Sequence, residues 1–170
     1  MKKGNTHQLI MGALIAAAYA GLTYLSNVFG LAYGPIQLRL SEILSVLPLF
    51  TPAAVPGLTV GCFLANIGSF NMADLLFGTL ATCASAYLTY LLRNAKVKGL
   101  PLLGLLPPVL VNALVIGFEI SVFYLPGTNF LWGLGISALE VGIGQFIVCY
   151  ALGLPFYFVL KKYKIVSGKE

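Results

Sequence analysis

The sequence predicts an all-α, polytopic membrane protein with six transmembrane helices and both termini in the cytoplasm. Of its 170 residues, 59% are hydrophobic and only 9% are charged, and the mean hydropathy is +0.93. A soluble domain needs a charged exterior, which so few charges cannot supply. Because the composition is this apolar, it excludes intrinsic disorder, and the three widely spaced cysteines exclude a disulfide scaffold.

The net charge of +5 is explained by cytoplasmic loops rather than by a nucleic-acid surface. Nine of the ten basic residues fall in three clusters that lie between apolar stretches, as the positive-inside rule expects of cytoplasmic segments. These residues are Lys2, Lys3, Arg93, Lys96, Lys98, Lys161, Lys162, Lys164 and Lys169. The tenth, Arg39, stands apart from the clusters.

Six apolar segments are predicted to cross the membrane within a single integral membrane domain, residues 1–170. Four of them have the ~20 apolar residues that a spanning helix needs. The stretch between them contains Pro48, Pro52 and Pro56, each of which removes a backbone donor, so one continuous helix is not expected there. Two short crossings also give the even number of passes that places the first two basic clusters on one side. The predicted helices are approximately 8–30, 41–51, 56–70, 73–92, 102–124 and 131–162.

Ionisable and amide side chains inside these apolar segments form the candidate binding site. A charged group in a bilayer costs ~2.5–3.5 kcal/mol even on the lenient insertion scale, so each is a functional hypothesis. All are expected in the outer half of the bilayer, brought together from helices far apart in sequence. The candidate substrate-binding residues are Arg39, Glu42, Asn66, Asp74, Asn112, Glu119, Glu140 and Gln145.

Structural alternatives exist for three of these residues. Arg39 and Glu42 are three residues apart and could pair with each other, and Asp74 could cap the helix that it begins. No second basic residue is available within the membrane to neutralise Glu119 and Glu140. Glu119 and Glu140 are therefore the strongest candidates for a role in substrate binding.

The imbalance of four acids against one arginine indicates the chemistry of the ligand. Surplus carboxylates suit a ligand that is rich in N–H donors or positively charged, and disfavour a phosphate or a carboxylate. Aromatic side chains at this depth could stack a flat ring or could form an interfacial belt. They are Tyr33, Phe70, Phe77, Phe118, Phe123, Phe130 and Trp132. With no phosphate-binding loop and a lone His7, neither catalysis nor a metal nor a cofactor is expected.

Small residues at a spacing of four form two stripes along the first helix. One stripe is Gly12, Ala16 and Ala20, and its neighbour is Ala13, Ala17 and Gly21. Small side chains let another helix backbone approach closely, so this helix is expected to present a docking face, within the chain or to a partner.

The pattern of polar residues in apolar context resembles that of the QueT family, substrate-binding S components of energy-coupling factor (ECF) transporters. The matching stretches are GPIQLRLSE at 34–42, PGL at 56–58, CFLAN at 62–66, DLLFGTLAT at 74–82, LPPVLVNA at 106–113 and CYALGLP at 149–155. The resemblance covers most of the chain.

The resemblance implies a six-helix S component in a bacterial plasma membrane that captures a queuosine precursor from outside the cell. Such a component works with an ECF module made of a transmembrane T component and two cytoplasmic ATPases. The family's Ala-xxx-Ala docking motif is similar to Ala13/Ala17 and Ala16/Ala20, and the connection at 31–38 would cap the site. The alternatives are an S component for another vitamin-like or purine-like cationic solute, an intramembrane enzyme acting on lipid head groups, and a self-sufficient channel or carrier.

Overall fold

The computed structural model describes residues 3–30, 32, 38–69 and 71–163, with side chains from Asn5 onward. Across these residues the regular structure is helical, and the β-type pairing found is one isolated bridge between Val97 and Leu100. The all-helical fold class is confirmed. Within the described ranges, four helices are long and apolar enough to cross a membrane.

Six helices follow one another along the described chain, close to the predicted bounds. Two of them contain a π-helical segment, and the second is a 3-10 helix. They are Lys3–Val28, the 3-10 helix Leu40–Leu49, Ala54–Ile67, the π segment Asp74–Gly78 continuing as Thr79–Leu91, Leu106–Phe123, and Phe130–Phe146 continuing through the π segment Ile147–Leu152 into Gly153–Tyr163. They are called the first to sixth helices below.

The second and third helices are short because prolines interrupt this stretch. Pro48 lies inside the 3-10 helix, and Pro52 lies in the turn that follows it. Ten residues of 3-10 helix and fourteen of α-helix each rise about 20 Å, less than the ~30 Å of a hydrocarbon core. The second helix is largely buried and contacts the first, fourth and sixth helices, so its irregular backbone is shielded.

The first and third helices pack at backbone contact through glycine. A Cβ atom at Gly61 would lie 2.8 Å from the Ala16 carbonyl oxygen, and one at Gly57 would lie 2.8 Å from the Gly12 carbonyl oxygen. The Gly12/Ala16/Ala20 stripe is therefore turned toward this interface, and Ala16 and Ala20 are buried.

The neighbouring stripe of the first helix faces away from the chain. Ala13 and Ala17 are exposed, and a Cβ at Gly21 would meet no atom within 4 Å. The two small-residue stripes thus have different environments. One is an internal packing surface, and the other is left open.

The fifth and sixth helices form an antiparallel pair whose register is fixed by small residues. A Cβ at Gly117 would lie 2.8 Å from the backbone of Ala138, and one at Gly142 would lie 3.4 Å from the Ala113 Cβ. Gly117 therefore lies opposite Ala138, and Ala113 lies opposite Gly142. This register positions the candidate site described next.

Candidate functional site

A cavity of about 930 Å³ opens among the first, fourth, fifth and sixth helices, the turn that follows the third helix and the connection between the last two helices. Its volume is typical of sites that enclose a small organic molecule. Its polar lining includes Asn71, Asp74, Glu119, Tyr124, Ser137 and Glu140, and apolar wall is supplied by Ile116, Ile120, Ile136 and Trp132.

Three of the predicted acids, Asp74, Glu119 and Glu140, line this cavity, each from a different helix. Glu119 is 1% exposed, and its Oε1 has no hydrogen-bond partner among the described residues. The acids thus make a negative, acceptor-rich surface.

Asp74 is oriented by groups that sequence reasoning did not select for the site. The Tyr124 hydroxyl donates to Asp74 Oδ1 at 2.9 Å, and the Asn71 side-chain amide donates to the Tyr124 hydroxyl oxygen. Partial burial, together with the hydrogen bond to Asp74 and its charge, raises the pKa of Tyr124 above its ordinary value, so the phenol keeps its proton. The cap of the fourth helix is Asn71, whose Oδ1 accepts from the Ala73 amide at 2.9 Å.

Arg39 and Asn66 lie beside the cavity and hold the start of the fourth helix. Arg39 Nε donates to the Ala32 carbonyl at 2.9 Å, and its Nη1 donates to Asn66 Oδ1 at 3.3 Å. The Asn66 amide in turn donates to the Asp74 carbonyl oxygen at 2.9 Å. Gly78 leaves room for this amide, which would lie 2.6 Å from a Cβ there. Neither Arg39 nor Asn66 lines the cavity; both act through the backbone that carries Asp74.

Glu42 is placed in the protein core rather than in the cavity. It is 4% exposed; one carboxylate oxygen accepts from the Tyr19 hydroxyl, and the other accepts from the Ser45 hydroxyl at 2.8 Å. A carboxylate with both oxygens hydrogen-bonded is stable in such surroundings.

Asn112 and Gln145 are also buried away from the cavity lining. The Asn112 amide nitrogen has no hydrogen-bond partner among the residues that the structure describes. Gln145 Oε1 lies 3.7 Å from the sulfur of Cys149. Of the eight candidate binding residues, the cavity therefore collects three.

Of the aromatic candidates that the structure describes, Trp132 lines the cavity and the phenylalanines do not. Phe77 packs against Phe118 and Phe123 with ring centroids about 6 Å apart, and Phe118 packs edge-on against Phe130, outside the cavity lining. Trp132 lines the cavity although its side chain is 69% exposed. Tyr33 and Phe70 lie outside the described residues.

Ser137, like Tyr124, lines the cavity but was not among the predicted binding residues. It is 1% exposed, and its hydroxyl oxygen is buried with no hydrogen-bond partner in the described part of the chain. A single serine in an apolar helix is a weak signal. Its position, one turn before Glu140 on the same helix face, is the feature that could have identified it. Among the described residues, no three His, Cys, Asp or Glu side chains are grouped so as to hold a metal ion.

Comparison with known proteins agrees with the resemblance in the sequence. The family model described as QueT transporter matches residues 9–162. A curated relative, the queuosine precursor transporter QueT of Lactococcus lactis subsp. cremoris (strain MG1363), is 37% identical over 82 residues, which are 48% of this chain and 48% of the relative. The aligned part thus spans about half the length of that relative. No solved structure matches the chain. Because the family match extends over nearly all of its helices, the chain belongs to the QueT transporter family.

Proposed function

We propose that this protein is the substrate-binding S component of an ECF-type importer and captures a queuosine precursor from outside the cell. The observation that carries the proposal is the cavity in which Asp74, Glu119 and Glu140 converge. None of the described residues that line it is basic. A curated relative named as a queuosine precursor transporter gives the ligand class.

The chemistry of a queuosine precursor complements this surface. Its 7-deazaguanine ring presents an N1–H and an exocyclic amine side by side, a two-donor edge that one carboxylate can accept. One precursor also carries a cationic aminomethyl group, which a second carboxylate would stabilise. Glu119 is proposed to accept from the ring edge, because its buried Oε1 is unpaired, and Glu140, with Asp74, is proposed to hold the cation.

The proposed topology has six passes with both termini in the cytoplasm of a bacterium. It follows from the basic clusters and the even number of crossings. With the first helix starting inside, the end of the fifth helix and the start of the sixth lie outside, so the cavity is open to external substrate. The exposed Ala13 and Ala17 would then contact the T component of the ECF module, and two ATPases would supply the energy.

Two alternatives keep the same cavity. An S component for another purine-like or vitamin-like cation would use the carboxylates but would not select the guanine-type edge. An intramembrane enzyme acting on lipid head groups would use the acids in catalysis and would need no transport partner.

Uptake in cells tests the proposal against these alternatives. Cells that express the protein together with a T component and both ATPases should accumulate labelled 7-aminomethyl-7-deazaguanine, and cells that lack any one of these should not. A variant ATPase that cannot hydrolyse ATP should abolish uptake. Uptake by this chain alone would instead indicate a self-sufficient carrier and would contradict the proposal.

A further inference from the structure

We propose that Ser137 is a specificity-determining residue that donates a hydrogen bond to the 6-oxo group of the ligand ring, beside the N–H donors that Glu119 accepts. This inference rests on the proposed function, since it assumes a 7-deazaguanine ligand in the cavity. It adds a hydroxyl donor beside the cavity carboxylates, which accept hydrogen bonds and attract positive charge.

The first support is that both residues carry a buried oxygen in need of a partner. Glu119 and Ser137 both belong to the cavity lining, and each residue is 1% exposed. Neither Glu119 Oε1 nor Ser137 Oγ is hydrogen-bonded within the described residues. Buried polar atoms are nearly always paired, and leaving one unpaired has a cost in free energy. A ligand that satisfies both atoms recovers that cost on binding.

The second support is the register of the fifth and sixth helices. Since Gly117 lies opposite Ala138, Glu119 lies opposite residue 136, about one residue from Ser137 along the helix axis. At ~1.5 Å of rise per residue, the Cα atoms of Glu119 and Ser137 lie at nearly the same depth. The Cα atom of Glu140 lies three residues further into the sixth helix, almost one turn deeper than that of Ser137.

The third support is the complementarity of the two groups with the ring edge. An ionised glutamate only accepts hydrogen bonds, whereas a serine hydroxyl can donate. The guanine-type edge presents an acceptor, the 6-oxo group, next to the N1–H and 2-amino donors. A neighbouring donor and acceptor on two facing helices match that order. Asp74 Oδ1 differs from Glu119 Oε1 because it already accepts a hydrogen bond from the Tyr124 hydroxyl.

Calorimetry with matched ligands and variants separates the contributions of the two residues. The ligands are 7-aminomethyl-7-deazaguanine, its 6-thio analogue, which keeps N1–H but offers a weak acceptor, and its 2-desamino analogue, which lacks one donor. The proteins are wild type, Ser137→Ala, Glu119→Gln and the control Ser121→Ala. Ser121 lies in the same helix pair but outside the cavity lining, and its hydroxyl donates to the Phe130 carbonyl.

In wild type and Ser121→Ala, the thio substitution should weaken binding ~5- to 30-fold. Ser137→Ala should bind the parent ligand weaker by a similar factor and should discriminate less than about twofold between the oxo and thio ligands. Ser137→Ala should still bind the 2-desamino ligand more weakly than the parent ligand, by the same factor as wild type. Glu119→Gln should bind these two ligands with similar affinity. Thermal unfolding in detergent checks that Ser137→Ala is folded.

The possible failures are distinguishable. If Ser137→Ala discriminates between oxo and thio ligands as wild type does, its hydroxyl does not read the ring and the inference is wrong, although the proposed function stands. If folded wild-type protein binds none of the three ligands, the proposed function itself is wrong.

Discussion

Glu42 and Glu119 differ in hydrogen-bond pairing rather than in burial, and on this difference we propose a structural role for Glu42 and a binding role for Glu119. Both are at least 96% buried, but Glu42 has a hydroxyl partner on each oxygen, whereas Glu119 Oε1 has none in the described chain. An unpaired buried acceptor costs about 1–3 kcal/mol. The protein can tolerate this cost at a binding site, because a bound ligand supplies the missing donor.

Replacing Glu119 with Gln should weaken binding of a 7-deazaguanine ligand on the order of 30- to 1000-fold, equivalent to ~2–4 kcal/mol. The substitution keeps the volume but turns one acceptor into a donor that meets the donors of the ligand. Calorimetry on purified protein measures the change. The control is Asn112→Leu, two turns earlier on the same helix and outside the cavity lining, which should bind as wild type does. Near-normal affinity in Glu119→Gln would contradict the role assigned to this acid.

The difference between these acids was not readable from the sequence. Tyr19, which donates to Glu42, is 23 residues away along the chain and on another helix. Apolar context identified both glutamates as unusual, but only the packed structure shows which of them has partners. The same holds for Ser137, whose significance depends on a facing helix.

Helix lengths and positions followed from hydropathy, whereas helix type did not. The described helices begin and end within five residues of the predicted segments. The largest differences are at the start of the first helix, which begins at Lys3 rather than residue 8, and of the fifth, which begins at Leu106 rather than residue 102. The 3-10 geometry of Leu40–Leu49 and the π segments Asp74–Gly78 and Ile147–Leu152 depend on tertiary contacts. In the fourth helix, for example, the Asn66 side-chain amide donates a hydrogen bond to the Asp74 carbonyl oxygen.

Close packing of the fifth and sixth helices should be essential for the cavity. Gly117→Ala places a Cβ 2.8 Å from the Ala138 backbone, which must move, so we expect a loss of ~1–3 kcal/mol in stability and weaker binding. The control Gly135→Ala adds a Cβ with no atom within 4 Å and should stabilise the sixth helix by ~0.5–1 kcal/mol. Thermal unfolding and calorimetry report both effects. Equal behaviour of the two variants would show that the close approach does not shape the site.

A larger side chain should have different effects on the two small-residue stripes of the first helix. Ala17→Leu adds volume on the exposed stripe and should leave unfolding temperature and ligand affinity unchanged while reducing ECF-dependent uptake at least ~10-fold, because it blocks close helix approach. Ala16→Leu adds volume at the contact with Gly61 and should instead lower stability by ~1–3 kcal/mol. Normal uptake with Ala17→Leu would remove this stripe from the docking surface.

The cavity can receive external substrate only if its end of the helix bundle faces the outside of the cell. Single cysteines at Asn94 and Pro126 in a background lacking Cys62, Cys83 and Cys149 test this, since both sites are exposed and lie in opposite predicted connections. An impermeant thiol reagent added to intact cells should label position 126 and not position 94. Pro126 is preferable to Gly127, whose φ of 94° disfavours a side chain. Labelling at 94 alone would invert the topology and close the cavity to external substrate.

The most direct test of the central claim is calorimetry of the purified wild-type protein against a panel of 7-deazaguanines, purines and vitamins. We expect one-to-one binding of 7-aminomethyl-7-deazaguanine that is at least ~100-fold tighter than binding of adenine or of an anionic vitamin, because the cavity presents carboxylates to a donor-rich cation. Absence of binding to every 7-deazaguanine, or equal affinity for anionic ligands, would contradict it.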